Sequence, residues 1–192
     1  MRMIWLLLAA LLAGCGQSET PPPQPPVPEP SWQAGAVDTV GARNLAEGDT
    51  TSGERGLVII ETTRTFGDGE AIGWEFNAVQ IHPVKLIIVR ADARGEQFEL
   101  VGESETVVPR QKGLNRFSLP EPIPVSRGSM FGLVVPEEEA IPFTKVQNWR
   151  TLITTHRLER PFMRRDYFAS YGWRYSVRVL WRPVAAGAAG TP

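Results

Sequence analysis

An all-β fold is the class this sequence predicts for the body of its 192 residues, as a sandwich or barrel of antiparallel strands. Three observations carry that expectation. Short runs of β-branched, aromatic and leucine residues recur along the chain. Gly, Pro, Asn and Asp punctuate the gaps, and no segment holds a long helical period. Many short strands with regular turn signals belong to sandwiches and barrels.

The runs fall in order at residues 57–63, 72–79, 84–91, 98–101, 114–119, 130–135, 151–155 and 175–181. Gly67-Asp68-Gly69 separates the first two, and a turn segment from Pro109 to Gly113 precedes the fifth. In the second run Trp74, Phe76 and Ala78 share one parity and so lie on one face of a strand. In the last, Tyr175, Val177, Val179 and Trp181 take one face, with Tyr175 and Trp181 expected in the core. Arg174, Ser176, Arg178 and Arg182 take the other, as in a sheet with one wet side.

The ends of the chain are of another kind. MRMIWLLLAALLAGC opens with a basic residue, Arg2, continues in an apolar run, and closes on small residues before the only cysteine, Cys15. That order of regions is a secretion signal. A membrane span needs about 20 apolar residues, and this run is much shorter. An ordinary signal followed by a chance cysteine is the remaining alternative. Leu12-Ala13-Gly14-Cys15 resembles the lipobox of bacterial lipoproteins, which implies cleavage before Cys15 and lipidation of its thiol. In that family Gly16, rather than aspartate, implies the outer membrane where the host has one. Several acyl chains anchor stably where one does not.

Residues 17–30, QSETPPPQPPVPEP, carry almost no apolar bulk and favour extended polyproline II, the composition of a spacer. The expected division is therefore a signal at 1–14, a lipidated cysteine and proline-rich linker at 15–31, a β domain at 32–182, and a loose Gly/Ala tail at 183–192. With one cysteine no disulfide forms within the chain, so the domain rests on its apolar core. The net charge of −1 hides an asymmetry. From Arg150 to Arg182 eight arginines face only Glu159 and Asp166, a net of +6, while the rest of the chain after residue 14 has eleven cations against nineteen acids. That acidic remainder and the compartment argue against nucleic acid.

One stretch carries more than composition. Trp74-Glu75-Phe76, residues 86–90 (LIIVR), Phe98-Glu99-Leu100-Val101, residues 113–119 (GLNRFSL) and Pro122-Ile123-Pro124-Val125 follow in order, with Gly128 and Gly132-Leu133 beyond. This order resembles the jelly-roll, galactose-binding-like sandwiches of secreted bacterial proteins. The resemblance covers about 65 residues and implies a single jelly-roll-like antiparallel β-sandwich. The acidic residue usual after the hairpin glycine is absent, since Ser129 follows Gly128. Such domains host many ligands, so the resemblance transfers no ligand site.

Catalytic patterns are thin. His82 and His156 are the only histidines, no Gly-x-Ser-x-Gly elbow occurs, and no cofactor motif or metal-ligand set is expected. Glu137-Glu138-Glu139 is expected as a solvated loop, and Gly67-Asp68-Gly69-Glu70 lacks calcium-loop spacing. The best candidate surface is residues 160–174, where arginines alternate with aromatics. Arginine forks suit planar anions, and exposed aromatic faces stack on sugars or other flat groups. Arg164, Arg165, Tyr167, Tyr171 and Trp173 are the candidate binding residues. The structural alternative is that these side chains cover apolar surface with their stems and rings. The expected function is a non-catalytic binding or interaction domain in the cell envelope, for a glycan or a protein partner. A hydrolase or lyase with an unannounced site and an assembly lipoprotein are the alternatives.

Overall fold

The computed structural model describes residues 37–46, 48 and 51–184. The signal segment 1–14, Cys15, the proline-rich linker and residues 185–192 of the expected tail lie outside the described residues. Thirteen strands are present: β1 (Asp38–Gly41), β2 (Arg55–Glu61), β3 (Gly69–Ala78), β4 (Lys85–Ala91), β5 (Gln97–Glu103), β6 (Gly113–Val125), β7 (Met130–Glu138), β8 (Phe143–Lys145), β9 (Thr151–Thr154), β10 (Phe162–Arg164), β11 (Ala169–Tyr171), β12 (Trp173–Tyr175) and β13 (Val177–Pro183). A single 3-10 turn, Arg165–Tyr167, is the one helical element among the described residues.

One sheet has the order β1-β13-β3-β6, and the second contains β5-β4-β7-β2. Counting β13 as the eighth strand of a frame, these are 1-8-3-6 and 5-4-7-2, with all pairs antiparallel. That is the strand order of a jelly roll. The fold is an all-β sandwich, as expected. Its core is the parity pattern made solid: Trp74 and Phe76 have no solvent exposure and lie with Phe117 in a ring cluster, the Trp74–Phe76 centroids 4.9 Å apart. Leu57, Ile59, Leu86, Ile88, Leu133 and Val135 face them from the second sheet.

The opposite face of the second sheet is apolar too. Val58, Ile60, Ile87, Val89, Phe98, Met130 and Leu152 form a second cluster, closed by Met163 with Leu158 and Phe168. These last three come from the segment between β7 and β13, which adds five short strands to the frame. β9 extends the second sheet beyond β2 and β11 extends it further, whereas β10 lies at the far edge beside β5. Six strand spacings would separate β10 from β11 by about 29 Å in a flat sheet. The five residue steps from Arg164 to Ala169 reach at most about 18 Å. The sheet must therefore curl, and residues 155–168 lie across its concave face as a strap. Gly132 on β7 permits the close packing inside the curl, because a Cβ there would lie 2.4 Å from the Ile59 carbonyl oxygen.

Several local expectations are revised. β6 runs on past Leu119 to Val125 through Pro120, Pro122 and Pro124. It is an edge strand whose register with β3 slips between Ala71 and Gly73, and prolines are tolerated at such places. Glu137-Glu138-Glu139 is not a solvated loop: β7 continues to Glu138, and Glu139 is buried, accepting the Tyr175 hydroxyl at 2.6 Å. The face of β13 expected to be wet is only partly so. Ser176 is buried, and Arg178 donates twice to the buried Glu75, which Arg116 also meets at 3.0 Å. Arg178, Glu75 and Arg116 sit in register across three strands, so one carboxylate stitches β13, β3 and β6.

Candidate functional site

The five candidate residues fall on the inserted segment but do not form one surface. Arg164 ends β10 and is held by Asp166 through two hydrogen bonds, 3.1 and 2.7 Å, while its guanidinium lies 5.4 Å from the Tyr167 ring centre. Tyr167 stacks on His156 at 4.4 Å, which joins the outgoing and returning legs of the strap. Tyr171 and Trp173 belong to a different place. Their rings stack at 4.3 Å, and Trp173 stacks again on Phe143 at 4.1 Å, followed by Tyr175. Two of its faces being occupied, Trp173 anchors β12 to β8 rather than offering a ring to a ligand.

Arg165 is different. Its guanidinium donates to the Gly95 carbonyl at 3.2 Å and lies 6.0 Å from the Phe98 ring. It borders a cleft of about 360 Å3 lined also by Thr62, Thr63, Ala91, Phe98, Met130, Asn148 and Arg150. The floor is the edge of the second apolar cluster, where Phe98 and Met130 are themselves mostly covered, and the rim is cationic and hydroxylic. Neither Arg150 nor Arg165 has a carboxylate partner among the described residues.

The rim is built by chain parts about ninety residues apart. A tight turn before β9 places Asn148 in the left-handed region at φ 65°, a conformation asparagine tolerates. The turn is tied to the end of β2 at Arg150. Its carbonyl accepts from the Thr62 amide (3.1 Å), the Thr62 hydroxyl (2.8 Å) and the Thr63 hydroxyl (3.2 Å), and its amide donates to Thr63 Oγ1 at 2.7 Å. Beneath lies Glu61, which accepts from the Thr63 amide at 2.8 Å, from Thr151 Oγ1 at 3.2 Å and from the Trp149 indole N–H. Burial raises its pKa to about 7, although each of those donors pulls the other way. The guanidinium groups of Arg64 and Arg174 lie 5.8 and 5.5 Å from the Trp149 ring. Sequence reading singled out Arg165 but not Thr62, Thr63 or Arg150 as a site, because nothing local in the chain announces that these segments meet.

A second cleft, about 560 Å3, adjoins the first across Arg165 and is lined by Glu96, Gln97, Arg164 and Asp166. The histidines lie elsewhere. His82 precedes β4 and meets Glu137 at 3.2 Å, and His156 is on the strap. Among the described residues no group of three or more His, Cys, Asp or Glu is placed to hold a metal ion, and no helix is long and apolar enough to cross a membrane. Comparisons with protein-family models, with curated proteins and with solved structures return no match.

Proposed function

We propose that this chain is a lipid-anchored cell-envelope protein whose β-sandwich binds an anionic glycan without acting on it chemically. One observation carries the binding reading: Arg150 and Arg165, without carboxylate partners, share a cleft whose floor is Phe98 and Met130. Guanidinium forks match carboxylates, and an apolar floor suits the C–H face of a sugar ring. The volume lies in the range of small-molecule sites. The Thr62 and Thr63 hydroxyls fix the backbone of Arg150, so the point from which its guanidinium reaches the cleft is set before binding. The lipobox resemblance at Cys15 supports the anchor.

Calorimetric titration of the full chain in detergent with oligogalacturonates tests the binding. Arg150→Ala and Arg165→Ala should each weaken it about tenfold, the loss of one charge-assisted pair, with unfolding unchanged. Affinity unchanged in both variants overturns the assignment of the cleft. Cys15→Ala tests the anchor independently: the variant should leave the membrane fraction, and full retention there overturns lipidation as the anchor.

A further inference from the structure

We infer that the glycan is mixed in charge, with a carboxylate-bearing unit next to a neutral, hydroxyl-rich one. The inference rests on the reading of the Arg150–Arg165 cleft as a glycan site and concerns what lies beside it. The two clefts meet at Arg165, whose backbone amide donates to the Glu96 carbonyl at 2.9 Å, so a ligand longer than one unit leaves the first cleft directly into the second. The two differ in net charge: Arg150 and Arg165 make the first cationic, whereas in the second Arg164 and Arg165 are matched by Glu96 and Asp166. The first presents two guanidinium groups without carboxylate partners. In the second, Arg164 is already held by both oxygens of Asp166, and the exposed Glu96 lies in the field of the same guanidinium.

The carboxylates accept from hydroxyls, and the Gln97 amide both accepts and donates, but Glu96 and Asp166 hold the second cleft at zero net charge, so a second acid on the ligand gains no attraction there to offset its desolvation. That selects against a chain in which every unit is acidic. The apolar floor ends at Phe98 and Met130, and every residue lining the second cleft has a polar or charged head group. Glu96 and Asp166 are thus specificity-determining residues, and Arg165 is the shared contact.

The test compares three tetrasaccharides on the full chain in detergent at one ionic strength: a hyaluronan tetrasaccharide, in which acidic and neutral units alternate, tetragalacturonate, all acidic, and chitotetraose, all neutral. The alternating probe should bind about tenfold tighter than either of the others. In the exposed double variant Glu96→Gln with Asp166→Asn, tetragalacturonate should gain about tenfold and overtake it. Tetragalacturonate binding as tightly as the alternating probe in the unaltered protein, with both weakened by Arg165→Ala, overturns this inference and leaves the glycan site standing. Failure of both acidic probes to bind overturns the glycan reading and this inference together.

Discussion

The eight-strand frame and the strap that crosses it, residues 155–168, are held together by different means. The frame is a two-layer core in which each strand buries alternate residues against the other sheet, with Trp74 and Phe76 at its centre. The strap buries little of its own. It contributes Leu158, Met163 and Phe168 to an apolar face the frame already presents, and its remaining ties are polar or stacked: Arg160 to Glu103, Arg165 to Gly95, His156 on Tyr167. A sandwich core resists because no part of it can leave alone. A strap crosses a face whose strands are already paired with one another, so its stability is expected to be local.

That contrast is breakable by measurement. The largest expected effect is in the frame: Trp74→Ala should cost about 4 kcal/mol in urea unfolding, from lost apolar burial plus a cavity between the sheets. A cost under about 1 kcal/mol would show that the frame does not depend on its central pair.

Next is the junction of the frame with the segment inserted between β7 and β13. Glu61, at the end of β2, receives hydrogen bonds from Trp149 and Thr151 of the insert. Its native pKa of about 7 lies above the ordinary 4.5, so between those values the native state holds a proton that the unfolded state has released. Its contribution to stability is therefore fully present below pH 4.5 and lost as pH rises through 7, to the extent of about 3 kcal/mol. Glu61→Gln should remove that decline: the stability of the variant relative to the unaltered protein rises by about 3 kcal/mol from pH 4.5 to 7.5. Parallel pH profiles for the two proteins would reject the buried proton.

Met163→Ala sharpens the comparison. It should cost about 2 kcal/mol, less than the frame change. Hydrogen exchange should quicken in residues 155–168 while β4 and β7 keep their protection. Equal loss of protection across the frame would make the strap an integral part of the core. The smallest effect belongs to Arg160→Ala. It breaks an ion pair whose arginine is mostly exposed, and should change thermal unfolding by no more than about 0.5 kcal/mol.

The same division governs what the chain discloses before it is folded. The expected runs at 57–63, 72–79, 84–91, 98–101, 114–119, 130–135, 151–155 and 175–181 correspond to β2 to β7, β9 and β13, because each packs on the core and therefore carries an apolar pattern. β1 left no such signal: Asp38 and Thr39 are exposed, and the strand exists because β13 offers it an edge. β8, β10, β11 and β12 have three residues each, too short for any period to show, and Ala169 to Tyr171 are all exposed. The candidate site was half legible for the same reason. Arg165 stood out in a dense arginine-aromatic run, while Arg150 acquired its place only through Thr62 and Thr63, residues whose hydroxyls look ordinary until the end of β2 meets the turn before β9.

The pairing of β1 with β13 has a practical consequence. Asp38 lies opposite Trp181, so the chain enters and leaves the domain at one pole. Asp68 ties that pole to the hairpin preceding Met130, accepting from Arg127 and Val184, and Met130 lines the cationic cleft. The first and last described residues, 37 and 184, therefore lie on the cleft's side of the molecule. Immobilising the domain at either of those positions turns the cleft toward the support, whereas attachment through the far rim, near Gly56 and Pro136, leaves it facing solution.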